Sequence, residues 1–283
     1  LEFEETLNIL KVVASENSAN IAKVEKFTDN GNLLGKIIIN KASTNGFKSH
    51  IVIASSGHVN HGKSTLIGTL MSGKADAELK NWLFLDTLPH EIERNLSADL
   101  HYALLGFKDN KPTHLKNPLD KKERGRLVEQ SDKLISFVDA PGHEGFLRTA
   151  IRGVVGQDID YGLLVVAADD GVMNMTKEHL GLLLAVNLPV IVCMTKVDKV
   201  GKKRIEETES QMEELLKHVG RIPYPIKDEN DLNVVIDKLD TIVPIIKTSA
   251  VTLEGYDMLN KLLLALPERR RNLDKPFLMF VDK

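Results

Sequence analysis

The sequence is short of features that several classes of protein need. It has one cysteine in 283 residues, Cys193, which lies in an apolar run and is expected to be a buried structural thiol. No disulfide can form within the chain, as is typical of a reducing cytosol. No apolar run reaches the ~20 residues that span a bilayer, and we recognise no signal peptide. The net charge is only −3, so bulk charge does not indicate nucleic-acid binding. These absences predict a cytoplasmic protein without a membrane partner.

From about residue 50 onward, apolar runs alternate with helical patterns. This alternation predicts an α/β fold with a mostly parallel sheet and helices on both faces. Ligands of such sheets bind at the carboxyl ends of the strands. The predicted strands are His50–Ser55, Lys133–Asp139, Tyr161–Ala168, Pro189–Thr195 and Val243–Ser249. The predicted helices are Ser64–Met71, His143–Val155, Thr176–Val186, Arg204–Val219 and Glu254–Leu266.

The first 48 residues are predicted to form a small β-rich domain. Turn-rich segments separate the β-prone stretches Lys11–Ser15, Ile21–Phe27 and Leu33–Asn40, a pattern typical of a β meander. A short helix is expected before them, at Glu4–Leu10.

A long mixed segment, Ala75–Asp132, separates the first predicted helix from the next strand. Its apolar stretches, Asn81–Leu88 and Leu100–Gly106, are expected to be ordered. The rest is polar and contains a basic cluster, which is either a solvated face or an RNA contact. The cluster consists of Lys121, Lys122, Arg124 and Arg126.

A phosphate-binding loop is predicted where the first strand meets the first helix. The residues read G-H-V-N-H-G-K-S-T and match G-x-x-x-x-G-K-[ST]. Glycines let the backbone turn its N–H groups toward phosphate oxygens. Lys63 is expected to reach the β- and γ-phosphates as a catalytic residue, and Ser64 to bind Mg²⁺. The predicted nucleotide-binding residues of the loop are Gly57, His58, Val59, Asn60, His61, Gly62, Lys63, Ser64 and Thr65.

A second motif, D-A-P-G-H, closes the next strand at residues 139–143. Asp139 is expected to hold Mg²⁺ through a water, and the N–H of Gly142 to approach the γ-phosphate. His143 would then lie beside that phosphate and orient the attacking water as the catalytic residue. A residue that merely begins a helix is the alternative interpretation of His143.

Two further motifs predict a guanine pocket. In T-K-V-D, residues 195–198, Asp198 can accept the two hydrogen bonds that guanine donates, and the aliphatic stem of Lys196 can cover the base. In T-S-A, residues 248–250, a backbone N–H of Ser249 or Ala250 can meet the guanine oxygen. Together with Thr195, these residues are predicted to bind the nucleotide.

In this order the four motifs resemble the GTPase superfamily. G-H-V-N-H-G-K and D-A-P-G-H resemble its translational branch, which includes elongation factor Tu, and residue 48 onward is most similar to the GTP-binding-protein family of elongation-factor-like GTPases. The resemblance implies a P-loop GTPase G domain that binds GTP, GDP and Mg²⁺. It also implies a following β-barrel domain, so we predict three parts: residues 1–48, the G domain at 49–274 and a truncated barrel at 275–283. We expect a fragment with an altered start, since the first residue is Leu1.

The resemblance also assigns roles that spacing does not show. Ser97 would be a second Mg²⁺ ligand, and Val59 and Leu96 would form an apolar gate around the catalytic histidine. Asn60 stands where most relatives have Asp, at a position that can hold a monovalent cation such as K⁺. Thr195 replaces an Asn, and we expect this to cost a hydrogen bond worth on the order of 1 kcal/mol.

The family further implies a switch that works with the ribosome, and with tRNA or mRNA through C-terminal domains missing here; its exchange factor is unidentified. Two other functions stay open. One is a nucleotide-dependent RNA- or ribosome-binding module with incidental hydrolysis. The other is a metabolic P-loop ATPase, which Asp198 disfavours because adenine would leave its carboxylate unpaired.

Overall fold

The computed structural model describes residues 19–29, 32–41, 49–94 and 97–269. The chain divides into two compact units, Leu1–Lys48 and Ser49–Lys283. In the first unit, β1 (Ala19–Asp29) and β2 (Asn32–Lys41) form an antiparallel pair in which Asp29 faces Asn32. These strands contain two of the three predicted β-prone stretches.

Three predictions fall on residues that the structure does not describe. They are the strand at 11–15, the helix at 4–10 and the barrel strand at 275–283. The division into three domains therefore stays a prediction.

The larger unit is built on one mixed sheet. Its strands are β3 (Ser49–Ser56), β4 (His101–Lys108), β5 (Lys111–Thr113), β6 (Lys133–Asp139), β7 (Tyr161–Ala167), β8 (Val190–Thr195), β9 (Ile222–Pro225) and β10 (Ile242–Lys247). They lie in the order β5-β4-β6-β3-β7-β8-β10-β9. The strands from β6 to β9 in that order are parallel, and β4 and β5 are antiparallel at one edge. The predicted mostly parallel sheet is confirmed.

Eight α-helices of the described residues surround this sheet. They are α1 (Lys63–Ser72), α2 (Pro89–Arg94), α3 (Lys121–Gln130), α4 (Leu147–Val155), α5 (Asn174–Ala185), α6 (Lys202–His218), α7 (Glu229–Val235) and α8 (Tyr256–Ala265). None of them is long and apolar enough to cross a membrane.

The helices cover both faces of the sheet, as predicted. Strand β7 is buried over its whole length, and its neighbouring residues Leu163 and Leu164 point to opposite faces. Leu163 packs in one core with Leu66 of α1 and with α8. Leu164 packs in the other core with Leu183 of α5 and Met212 of α6. Each fully buried leucine contributes about 1.5–3 kcal/mol to folding, so these two cores hold the strand ends in place.

The interior also contains the single cysteine. Cys193 is fully buried in β8, which confirms the sequence prediction. Burial raises the pKa of its thiol to about 12, so this thiol stays protonated and unreactive.

One predicted helix begins later in the structure, and the last predicted strand ends earlier. The helix predicted at His143–Val155 begins only at Leu147, after a 3₁₀ turn at Glu144–Phe146. His143 caps that turn, because its Nδ1 accepts the N–H of Gly145 at 3.0 Å. The last predicted strand ends at Lys247, since the N–H of the buried Ser249 donates to a loop carbonyl and not to a neighbouring strand.

The sequence analysis did not predict several short strands and helices, some of them in the mixed segment. β5, β9, α2 and α7 have three to seven residues, too few for a period to show. The basic cluster lies on α3, which Asp120 caps by accepting the N–H of Lys122 at 2.8 Å. Lys121, Lys122 and Arg126 are exposed there, which agrees with a solvated face, and an RNA contact stays a prediction.

Candidate nucleotide-binding site

One cavity of about 280 Å³ brings most of the predicted site residues together. It lies where β3, β8 and β10 end, at the carboxyl edge of the sheet, as expected for such folds. Leu79, Trp82 and Val251 add apolar surface that the sequence did not reveal. The predicted residues that line the cavity are Val59, Asn60, Gly62, Lys63, Ser64, Thr65, Ser97, Gly142, Thr195, Lys196, Asp198 and Ala250.

The other predicted site residues do not line the cavity or are not among the described residues. Leu96 is outside the described residues, so its role as a gate stays a prediction. Six predicted residues are absent from the cavity lining, namely Gly57, His58, His61, Asp139, His143 and Ser249. Several of them hold lining residues in position.

The phosphate loop has the backbone that its glycines predict. Gly57 has φ +140°, and a Cβ there would lie 2.3 Å from the carbonyl oxygen of Val165. Gly62 has φ +86° and precedes α1, whose start receives no side-chain cap from any described residue. The first N–H groups of α1 are therefore available to an anion, and the helix dipole favours one.

Lys63 is buried against the loop. Its Nζ donates to the carbonyl oxygens of Gly57 at 3.2 Å and His58 at 3.0 Å. Burial lowers the pKa of Lys63, while the charges of Asp139 and Asp86 raise it. A Cβ on Gly142 would lie 2.4 Å from the backbone carbonyl oxygen of Gly57, so only glycine fits against the loop beside this amine.

Two serine hydroxyls form a corner that fits a magnesium ion. Ser64 Oγ lies 3.2 Å from Ser97 Oγ and donates to Asp139 Oδ2 at 2.7 Å. Neighbouring ligand atoms of octahedral Mg²⁺ are about 3 Å apart, so the two hydroxyls have the spacing of adjacent ligands. Ser55 donates to the other oxygen of Asp139. Asp139 is thereby fixed beside the corner, where it can accept from a metal-bound water.

Asp86 is a site residue that the sequence analysis missed. Its Oδ2 accepts from Ser97 Oγ at 3.1 Å, and the residue lines the cavity. Burial, and then the negative charge of Asp139, raise the pKa of Asp86 to about 6. Asp86 thus orients Ser97, which is a predicted metal ligand. Both residues belong to the mixed segment. The only feature of the sequence that could have indicated a role for Asp86 is its position at the end of an apolar stretch.

The two loop histidines and His179 are buried or half-buried behind the phosphate loop. His58 and His61 are in edge-to-face contact, with ring centroids 5.1 Å apart. Burial lowers the pKa of His61 to about 3 and that of His179 to about 4. Both rings are therefore neutral at pH 7, and their place in the structure is packing behind the loop.

His143 is exposed and does not line the cavity. Its ring is 5.9 Å from that of Phe146, and Nδ1 accepts from Gly145. To reach a bound γ-phosphate, the side chain has to rotate from this position. Its catalytic role therefore stays a prediction.

The base loop is tied directly to the phosphate loop. Thr195 Oγ1 donates to the carbonyl oxygen of His61 at 2.6 Å, so threonine links the two loops, and the expected loss of nucleotide affinity stays a prediction. Lys196 has φ +59°, and its Nζ lies 3.3 Å from Asp169 Oδ2. Asp198 follows in a 3₁₀ turn and lines the cavity. The carboxylate and the lysine stem thus border the same space as the phosphate loop.

The T-S-A motif, residues 248–250, lies beside Asp198 at the end of the cavity where the base is expected. The N–H of Ser249 donates to the carbonyl oxygen of Glu254 at 3.0 Å. Since Ala250 lines the cavity, its N–H is the better-placed donor to a guanine oxygen.

Asn60 also lines the cavity and is exposed, so its side-chain carbonyl oxygen can reach a cation. The K⁺ site at this residue stays a prediction.

We expect Thr195→Val to separate the two loops. The variant keeps the shape of the side chain and leaves the carbonyl of His61 without its 2.6 Å hydrogen bond, a loss of about 1–3 kcal/mol. GDP affinity should fall roughly tenfold in calorimetry. Thr208→Val is the matched control, because Thr208 Oγ1 donates to the carbonyl of Ala168 at 3.1 Å in another buried place. Equal GDP affinities of the two variants would contradict the proposed tie.

Fold and cavity together define the class: a P-loop nucleotide-binding domain with a phosphate end and a base end. Residues 48–268 match the family described as the elongation factor Tu GTP binding domain. The chain belongs to that family, which is part of the translational GTPase superfamily.

Its relatives include named GTP-binding proteins and elongation factors. The chain is 31% identical over 280 residues to GTP-binding protein 1 of Xenopus laevis, which covers 95% of the chain and 42% of the relative. It is 34% identical over 234 residues to the selenocysteine-specific elongation factor of Escherichia coli, covering 82% of the chain and 30% of the relative. The chain thus spans less than half the length of these relatives.

Solved structures show the same likeness. The crystal structure of a bacterial selenocysteine-specific elongation factor, EF-Sec, has a TM-score of 0.55 and 27% identity, and the match covers 80% of this chain and 30% of that one. Elongation factor SelB from Methanococcus maripaludis, in complex with the GTP analogue GppNHp, has a TM-score of 0.51 and 25% identity, over 82% of this chain and 37% of that one.

Proposed function

We propose that the chain hydrolyses GTP to GDP and phosphate as the switch of a translation factor. The observation that carries the proposal is a single cavity that Lys63, Ser64, Ser97 and Asp198 all line. Its phosphate end has an amine and uncapped helix N–H groups, and its base end has a carboxylate. A guanine nucleotide carries the complementary groups at its two ends.

Binding of the triphosphate would change the contacts of several residues. Lys63 would turn its Nζ from the loop carbonyls to the β- and γ-phosphate oxygens, while the first N–H groups of α1 bind the β-phosphate. Gly142 would donate its N–H to the γ-phosphate. Ser64 and Ser97 would hold Mg²⁺, with Asp139 accepting from a bound water, and the ion would supply charge neutralisation across the β- and γ-phosphates.

Hydrolysis would depend on a movement of His143. The exposed side chain would rotate toward the γ-phosphate, past Val59 at the cavity wall, and place a water in line with the phosphorus–oxygen bond. This rotation would give up the hydrogen bond from Gly145 and the ring contact with Phe146 that the described residues form. Because this position is not formed in the structure, we expect slow turnover by the isolated domain and faster turnover with a partner.

The partner that we propose is the ribosome, together with tRNA or mRNA. The named elongation-factor relatives support this proposal. A protein of this kind would act in the cytoplasm.

Sedimentation of the full-length protein with ribosomes tests the partner. We expect co-sedimentation with GppNHp and at least tenfold less with GDP, because only the triphosphate orders the segments around Gly142. Asp198→Asn, which should lose guanine nucleotides, is the control for nucleotide dependence. Equal sedimentation with GppNHp, with GDP and without nucleotide would contradict the switch and favour an RNA-binding module in which hydrolysis is incidental.

A further inference from the structure

Three ionisable side chains meet beside the magnesium corner. Asp86 follows the 3₁₀ turn Asn81–Phe84, Glu91 belongs to α2, and His101 begins β4. One ligand-type atom of each lies within 4.8 Å of the other two. Asp86 and Glu91 are 4% and 0% exposed. Two carboxylates and an imidazole are therefore held together in a place that water hardly reaches.

One buried carboxylate oxygen of this cluster lacks a hydrogen-bond donor among the described residues. Nε2 of His101 lies 2.8 Å from Oε1 of Glu91 and 3.5 Å from Oδ1 of Asp86. A ring nitrogen carries at most one proton, so its hydrogen bond goes to the nearer oxygen. Oδ1 of Asp86 is buried, and no described residue forms a hydrogen bond with it. A buried carboxylate oxygen without a partner is costly, and this one points into the group.

Negative charge accumulates at the same place. The carboxylate of Asp139 is close enough to raise the pKa of Asp86. The nearby amine of Lys63 already donates to two loop carbonyls. A divalent cation would offset this charge and give the unpartnered Oδ1 of Asp86 a partner. Mixed carboxylate and imidazole ligands suit first-row transition ions, whereas Mg²⁺ prefers oxygen alone.

We propose that Asp86, Glu91 and His101 form a second divalent-cation site, which takes a borderline ion such as Zn²⁺ through Oδ1, Oε1 and Nε2. Bonds of about 2.0–2.2 Å around a tetrahedral ion place neighbouring ligand atoms about 3.4 Å apart. The separations of 2.8 and 3.5 Å from Nε2 are close to this value, and one ligand-type atom of each residue lies within 4.8 Å of the other two. A water would complete the coordination.

Such an ion would act on residues 97–99 through both carboxylates. Glu91 Oε1 already accepts the N–H groups of Ala98 and Asp99 at 2.9 and 3.2 Å. The other oxygen of Asp86 accepts from Ser97. An ion that joins α2 to β4 would therefore hold Ser97 at the magnesium corner, although the two metal sites share no ligand atom.

Co²⁺ titration tests this site by its visible absorption. The chain is stripped with a chelator and then saturated with GDP and Mg²⁺, so that the magnesium corner is filled; a parallel titration omits nucleotide. We expect one equivalent of Co²⁺ to bind, Zn²⁺ to displace it, and His101→Gln to weaken binding at least tenfold. His90→Gln is the matched control, because His90 is an exposed histidine next to Glu91, and it should bind Co²⁺ as the wild type does.

Three results would overturn the site. They are the absence of stoichiometric Co²⁺ binding, unchanged binding by His101→Gln, and equal losses in His101→Gln and His90→Gln. If His101→Gln melts early, Asp86→Asn replaces it, since the amide keeps the size and one oxygen of the side chain. Asp86→Asn should also bind Co²⁺ at least tenfold more weakly, and wild-type affinity would contradict the proposal.

Discussion

The substitution Asp198→Asn should change the base preference of the site from guanine to xanthine. The carboxylate of Asp198 lines the base end of the cavity and is proposed to accept two hydrogen bonds from guanine. Each charged hydrogen bond is worth about 1.5–3 kcal/mol, so GDP affinity should fall about 10²- to 10⁴-fold. Xanthine presents an oxygen where guanine has an amine, and the new amide can donate to it. XDP should therefore bind the variant more tightly than GDP does.

Competition against a fluorescent nucleotide measures this exchange. Asp240→Asn is the charge-matched control, because Asp240 is exposed before β10, at the opposite edge of the sheet. It should leave GDP affinity unchanged. If Asp198→Asn binds GDP like the wild type, or if ATP competes as well as GTP, the guanine pocket is wrong and an ATPase is favoured.

His143→Ala should slow a single turnover of GTP by about 10²- to 10⁴-fold, the range for a side chain that positions or activates the attacking water. GDP affinity should hardly change, because His143 is exposed and outside the cavity lining. Rapid-quench measurement of phosphate release, with the activating partner present, gives the rate.

His218→Ala is the control for this variant, since His218 is an exposed histidine at the end of α6. It should hydrolyse GTP at the wild-type rate. Equal rates for His143→Ala and the wild type would remove the histidine from the mechanism and favour the binding module.

The cavity could be largely predicted from the sequence because its motifs report chemistry and position together. Gly57 and Gly62 adopt φ values that other residues rarely adopt, and Lys63 and Asp198 each follow a buried strand. The carboxyl ends of parallel strands meet at one edge, so separate motifs had to converge.

Other features depend on contacts that no local pattern reports. Asp86 reaches Ser97 only because the mixed segment folds back onto the cavity. The bond from Thr195 to the phosphate loop was not predicted, because it depends on a hydroxyl and a backbone carbonyl that face each other at 2.6 Å. The orientation of His143 follows from the short turn that it caps, whereas its sequence neighbours predicted a continuous helix.

Calorimetric titration with nucleotides tests the central proposal most directly. With Mg²⁺ present, GDP and GppNHp should each bind at one per chain, and ADP at the same concentrations should give no binding heat. Removal of Mg²⁺ should weaken GppNHp more than GDP, because Ser97 and the γ-phosphate are proposed to share the ion. No uptake of either guanine nucleotide, or equal uptake of ADP, would contradict a guanine-specific, magnesium-dependent site in this cavity.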